Sequence, residues 1–157
     1  MQAMTPGMLL QTAAILVLGL MCGSELNVAL FGHPILNRLP LEVHIPVRSA
    51  LAALLGRVMP FWMPASAILN LLLVLPVVKL NERAWRLAVA ALAIQALASL
   101  FSLIGPVPIN NRIARWTIAS LPKGWRAEER RWDVYHALRT AALIVAFVLL
   151  ILSTQAS

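Results

Sequence analysis

Apolar residues run along this chain in four long blocks, at about residues 8–31, 61–78, 87–104 and 132–152. About 20 mostly apolar residues cross the ~30 Å hydrocarbon layer as a helix. Only a helix or a closed barrel satisfies its own backbone in lipid. The first block is interrupted at Ser24, Glu25 and Asn27 and closes at Gly32-His33-Pro34. The second closes at Lys79-Leu80-Asn81-Glu82-Arg83 and the third at Gly105-Pro106. Pro64 falls in the first turn of the second block, where proline is tolerated, and Pro76 predicts a kink or stop near its end. Asn81-Glu82 predicts a tight turn that makes spans two and three a helical hairpin. The expected fold is all-α: a four-transmembrane-helix bundle forming one integral membrane domain over residues 1–157.

The connections are unequal. Residues 79–86 form a short turn, whereas 33–60 and 105–131 are long. With four spans, both long connections lie on the same side. Within the first, residues 46–59 predict an amphipathic interfacial helix, with Leu51, Leu54, Leu55 and Val58 in one stripe bordered by Arg48 and Arg57. Within the second, Arg112, Arg115, Lys123, Arg126, Arg130 and Arg131 alternate with Trp116 and Trp125, the pattern of a headgroup-facing juxtamembrane segment.

Composition agrees with the pattern: 61% of residues are hydrophobic and only 12% charged, against about 25% charged in soluble domains. A soluble enzyme with a polar shell is excluded. The net charge of +7 sits beside apolar blocks, so anionic lipid headgroups are the expected partner and nucleic acid is not. Of the thirteen Lys and Arg, all but Lys79, Arg83 and Arg86, hence ten, lie with the two long connections and the start of span four. That bias predicts both long connections, including 112–131, in the cytoplasm and both termini outside. Residues 1–7 carry no Lys or Arg, so no signal peptide is expected. Cys22 follows Leu20-Met21 and does not resemble a lipidation site. As the single cysteine, it excludes an internal disulfide and any CxxC redox or zinc motif.

Ionisable residues inside a span are costly and point to function. Glu25 lies about two turns before the end of span one. Trp132, His136, Arg139 and Leu143 occupy i, i+4, i+7 and i+11, one face of span four, with Asp133 beside it. Span one leads into the first long connection and span four leaves the second, so Glu25, His136 and Arg139 are expected at similar depth near one membrane surface. One reading is a Glu25–Arg139 ion pair that fixes packing. The other is a polar pocket, joined by His33, His44, Asn110 and Asn111, with Glu25, His136, Arg139 and Asn110 as catalytic groups and Trp132, Asn111 and Arg48 binding substrate. Asn110 and Asn111 also suit helix capping. Glu25, His44 and His136 could supply a two-histidine, one-carboxylate site for iron or copper, with His33 another candidate, or one His could ligate haem; chemistry without a cofactor stays open beside these. Asn70 and Gln95 are expected to pair across spans two and three.

The motif Val107-Pro108-Ile109-Asn110 after span three, with Trp132, His136 and Arg139 in the order Trp-x-x-x-His-x-x-Arg, resembles the anthrone-oxygenase-like (DUF1772) family of small four-helix membrane proteins. Gly23-Ser24-Glu25-Leu26-Asn27 followed by His33-Pro34 looks like one of its subgroups. The resemblance covers essentially the whole chain. It implies an oxygenase or oxidoreductase acting on a lipophilic aromatic, anthrone- or quinol-like molecule. It suggests His136 or Glu25 as base and Arg139 with Asn110 as oxyanion donors. From another class, a non-catalytic membrane subunit, as a homo-oligomer or with another chain, would use a small-residue face such as Ala84, Ala88, Ala91, Ala98 and Ser102. A transporter would call for repeats or a broken midplane helix, and neither is evident.

Overall fold

The computed structural model describes residues 5–75 and 78–156. Among them the secondary structure is helical: α1 (Pro6–Asn27), a π-helical turn (Val28–Gly32), α2 (His33–Leu36), α3 (Leu41–Val74), α4 (Glu82–Ile104), α5 (Pro106–Ile113) and α6 (Trp125–Gln155). Four stretches are long and apolar enough to span a membrane: Pro6–Leu36, Leu41–Val74, Glu82–Ile104 and Trp125–Gln155. The chain is an integral, multi-pass membrane protein folded as a four-helix bundle. Pro76, expected to bend span two, lies outside the described residues.

Each element starts where local chemistry allows. The Thr5 hydroxyl accepts from the Met8 N–H at 3.2 Å and Pro6 opens α1. The Asn81 side chain accepts from the Ala84 N–H at 2.9 Å and starts α4. Pro34 cannot donate to the carbonyl four residues back, and the widened π turn precedes it. The turn has a consequence for the interior. Eight α-helical residues overshoot two full turns by about 80°. The wider turn takes up that excess, so Glu25 and His33 are both buried.

Two expectations change. The amphipathic segment 46–59 is helical but not a separate interfacial helix; it is continuous with span two in the 34-residue α3. That helix is about 51 Å long at 1.5 Å per residue, so it reaches well beyond the hydrocarbon layer. The first long connection therefore shrinks to residues 37–40. Pro64 is consequently a mid-helix residue, and so is Pro60. They leave the carbonyls of Pro60 and Gly56 without their usual donors, a defect tolerated where the backbone borders a cavity. The second connection also shortens. Asn110 and Asn111 lie inside α5 and cap nothing, and α6 begins at Trp125.

The stripe Ala84, Ala88, Ala91, Ala98 and Ser102 is buried within the chain, where α4 packs against α6. Small residues let these backbones approach, so this face is not free for a partner subunit. Large apolar residues such as Leu97, Leu100 and Leu103 point outward, as a lipid-facing surface requires. Gln95 accepts from the Ser66 hydroxyl at 3.3 Å, an interhelical bond as expected. The Asn70 amide is buried with no hydrogen-bond partner, so that half of the expectation fails. Ala88→Leu is expected to cost about 1–3 kcal/mol by overpacking, lowering the melting temperature in detergent. The outward Leu100→Ala should leave it nearly unchanged, and equal effects would contradict this packing.

Candidate active site

Arg139 is the centre of the buried polar groups. It projects from α6 with only 6% exposure and pairs with Glu25 of α1. Its Nε donates to Glu25 Oε2 at 3.1 Å, and its Nη2 donates to the same oxygen. Nη2 also donates to His136 Nδ1 at 3.1 Å. A guanidinium cannot accept, so His136 Nδ1 carries the lone pair and Nε2 carries the hydrogen. That Nε2–H donates to the Glu25 backbone carbonyl at 3.1 Å. Glu25 Oε2, 3.3 Å from His136 Nδ1, is bound by the same guanidinium. Nη1 donates to the Ser102 hydroxyl at 3.5 Å. Of five N–H donors, one on Nη1 is left over.

A cavity of about 300 Å³ lies between α3, α4, α5 and α6. Leu55, Met59, Met63 and Val107 give it apolar walls, and Arg139, Ser102, Asn110, Asn111 and Trp132 supply its polar groups. Leu103, 65% exposed on the lipid-facing surface, is also part of the wall, so the cavity opens sideways toward lipid. Asn110 donates from Nδ2 to the Ala52 carbonyl of α3 at 2.8 Å. The fit is close at Gly56, where a Cβ would stand 3.2 Å from Asn110 Nδ2.

Glu25 and His136 are not in the wall. Both ring nitrogens of His136 are engaged, and Glu25 Oε2 is held by Arg139. The expectation that either takes a proton directly from substrate therefore meets a geometric obstacle; both hold Arg139 in place. Arg48 is also displaced from its expected role. It is absent from the cavity wall, pairs with Glu129 at 3.2 Å and Asp133 at 2.6 Å, and lies over the Trp132 ring at 4.5 Å.

Arg48 belongs to a second buried network toward the end of the bundle. His44 contacts the Leu36 carbonyl at 2.7 Å and Glu129 at 2.8 Å. His33 lies 3.4 Å from Asp133. Trp132 links the two networks, stacking nearly parallel on His136 at 4.8 Å and edge-on to His33 at 5.2 Å. Beside this network a pocket of about 150 Å³ is lined by Asn37, Arg126, Glu129, Arg130 and Asp133.

The residues do not fit the expected two-histidine, one-carboxylate metal set. Among the described residues no three His, Cys, Asp or Glu side chains converge as ligands. Of the four candidates, His44 has both nitrogens occupied, Glu25 is bound by Arg139, and none of Glu25, His33, His44 and His136 borders the cavity. Glu129 and Ser102 were missed in the sequence. Glu129 was readable: it stands three residues before Trp132, on the same helical face, but the surrounding arginines mark the segment as headgroup-facing.

Removing one member of a buried ion pair strands the other charge and costs about 3–5 kcal/mol, whereas replacing both by neutral groups costs far less. Glu25→Gln and Arg139→Met should each lower the melting temperature strongly. The double variant should recover most of the loss. Additive losses would mean the pair is not coupled.

The anthrone oxygenase family matches the chain over residues 47–149. No curated protein and no solved structure matches it.

Proposed function

Given that the chain belongs to the anthrone oxygenase family, we propose that it oxygenates a lipophilic aromatic ketone, anthrone- or quinol-like, that reaches the cavity sideways from the bilayer. The observation that carries this reading is the leftover Nη1–H of Arg139, the charged residue of a largely apolar cavity wall. The apolar walls at Leu55, Met59 and Met63 take the ring system, and Arg139 meets the carbonyl oxygen.

The chemistry balances without a redox cofactor. The substrate methylene loses a proton and its carbonyl becomes an enolate oxygen. Arg139 stabilises that developing charge in a site of low dielectric, where a preorganised donor counts most. Dioxygen, itself apolar, adds at the carbanionic carbon. The resulting hydroperoxide loses water to leave a second carbonyl: a CH2 group and O2 become C=O and H2O. With no carboxylate or imidazole in the wall, the released proton is assigned to a water molecule entering past Asn111, the exposed polar residue of that wall, not through the lipid-facing opening at Leu103. Glu25 and His136 act as positioning residues, since they orient the fork that touches substrate.

Oxygen uptake and quinone formation by detergent-purified protein supplied with an anthrone test this. The wild type should turn over. The Glu25→Gln, Arg139→Met double variant, once shown to be folded by its melting temperature, should lose about 10²–10³-fold in kcat, the range for removing an oxyanion donor. Full turnover by that variant, or none by the wild type with any anthrone, would sink the proposal.

The bundle end bearing Glu25, α5 and the basic segment 112–131 faces the cytoplasm in this reading, on the positive-inside bias. Ala119 is exposed within that segment. Ala119→Cys in a Cys22→Ser background should react with a membrane-impermeant thiol reagent in inverted vesicles. Labelling in intact cells instead would reverse the orientation.

A further inference from the structure

The pocket of about 150 Å³ beside the second network has a charged wall, made by Asn37 just past α2 and by Arg126, Glu129, Arg130 and Asp133 of α6. Its two acids are already engaged from the inside. Arg48 Nη2 donates to Asp133 at 2.6 Å, and its Nε lies 3.2 Å from Glu129. His44 sets Nδ1 at 2.7 Å from the Leu36 carbonyl and Nε2 at 2.8 Å from Glu129 Oε1. A carbonyl and a carboxylate both accept, so His44 and Glu129 share a proton and form a neutral unit. Arg48 and Asp133 form another. Glu128, on the same turns of α6, is bound by Arg112. Arg126 and Arg130 are left over. Both are exposed, and among the described residues neither has an ion pair or a hydrogen bond; Arg126 only lies over the Trp125 ring at 4.4 Å. The wall thus carries two positive charges that the protein does not neutralise.

Arg126 and Arg130 stand at i and i+4, neighbours on one helical face, so both can close on a single group. Their planar forks of N–H donors match phosphate oxygens, and the exposed Asn37 amide offers a further donor. The space is far above the about 10–15 Å³ that one water needs. Its surroundings point to the source of the phosphate. On α6, Val134 and Leu138 follow Arg130 by one and two turns and are exposed. On span one, Phe31 and Ile35 precede Asn37 and are exposed as well. A phosphate held at the arginines therefore has apolar, lipid-facing surface running deeper into the membrane on two sides. Acyl chains can cover that surface; a free phosphate leaves it bare. We propose that this pocket binds the phosphodiester headgroup of one anionic phospholipid, whose chains lie along Val134 and Leu138 on one side and Phe31 and Ile35 on the other. The site is separate from the cavity that borders Arg139 and does not depend on the oxygenase reading.

Native mass spectrometry of the detergent-purified chain, titrated with dioleoyl phosphatidylglycerol or dioleoyl phosphatidylcholine, tests this. The wild type should retain one phosphatidylglycerol about tenfold or more tighter than phosphatidylcholine, the scale of charge-assisted hydrogen bonds. The Arg126→Gln, Arg130→Gln double variant, its folding checked by melting temperature, should lose that preference. The Lys123→Gln, Arg131→Gln double variant removes the same charge from exposed residues outside the wall, and should keep it. Equal affinity of the wild type for the two lipids overturns the site and needs no variant to fold. A preference that falls alike in both double variants also overturns it, since the attraction is then a diffuse basic surface. Inorganic phosphate at the lipid's concentration should not displace phosphatidylglycerol. Displacement that depends on Arg126 and Arg130 would make a free phosphate the ligand and overturn the lipid assignment.

Discussion

A guanidinium buried in hydrocarbon has to be neutralised where it stands, and Arg139 meets that demand through Glu25. The cost of an unpaired charge at that depth ties α1 to α6 at one level of the bundle. Once that level is set, much else follows. Nη2 reaches His136 and dictates which ring nitrogen holds the hydrogen. Nη1 reaches across to Ser102 of α4. Three of the four spanning stretches are thereby registered by one side chain, and a single N–H is not consumed in the process. The same charge thus orders the bundle and, in the function proposed above, would meet the substrate carbonyl.

The second network repeats the logic nearer the end of the bundle. Arg48 lies between Glu129 and Asp133, with His44 and His33 completing the arrangement. It lets α3 and α6 carry buried charge as they leave the hydrocarbon. Trp132 stands between the networks, against Arg48, His33 and His136, and also borders the cavity. The indole is therefore held from several directions. Backbone irregularities collect at the same level: the π turn in span one and the prolines of α3. π turns recur at functional sites because the extra residue re-aims side chains. Here the turn brings His33 inward behind Glu25.

Much of this was legible in the residues. The four apolar blocks, and the face shared by Trp132, His136, Arg139 and Leu143, follow from the period of a helix, and all four of those side chains are buried. The meeting of Glu25 with Arg139 follows from counting spans. The interfacial helix misled because an amphipathic stripe says which face is apolar and not where the helix ends; α3 runs through it. Glu129 was hidden among exposed arginines, because charge density was read in place of helical phase. That Glu25, His136 and Arg48 do not line the cavity was hidden for a different reason. Which member of a polar group borders a void depends on side-chain packing between helices, and no local pattern encodes it.

The sequence by itself determined that the chain lives in the membrane, how many times it crosses, and which ionisable residues share a depth. These are matters of transfer free energy and helical period, both written residue by residue. Only the tertiary structure decided that Arg139 reaches the cavity wall while Glu25 and His136 do not, and that one Asn110 Nδ2–H is committed to Ala52. Those outcomes turn on hydrogen-bond partners distant in sequence, Ala52 for Asn110 and Glu25 for Arg139, and on the space left where α3, α4 and α5 fail to close against α6.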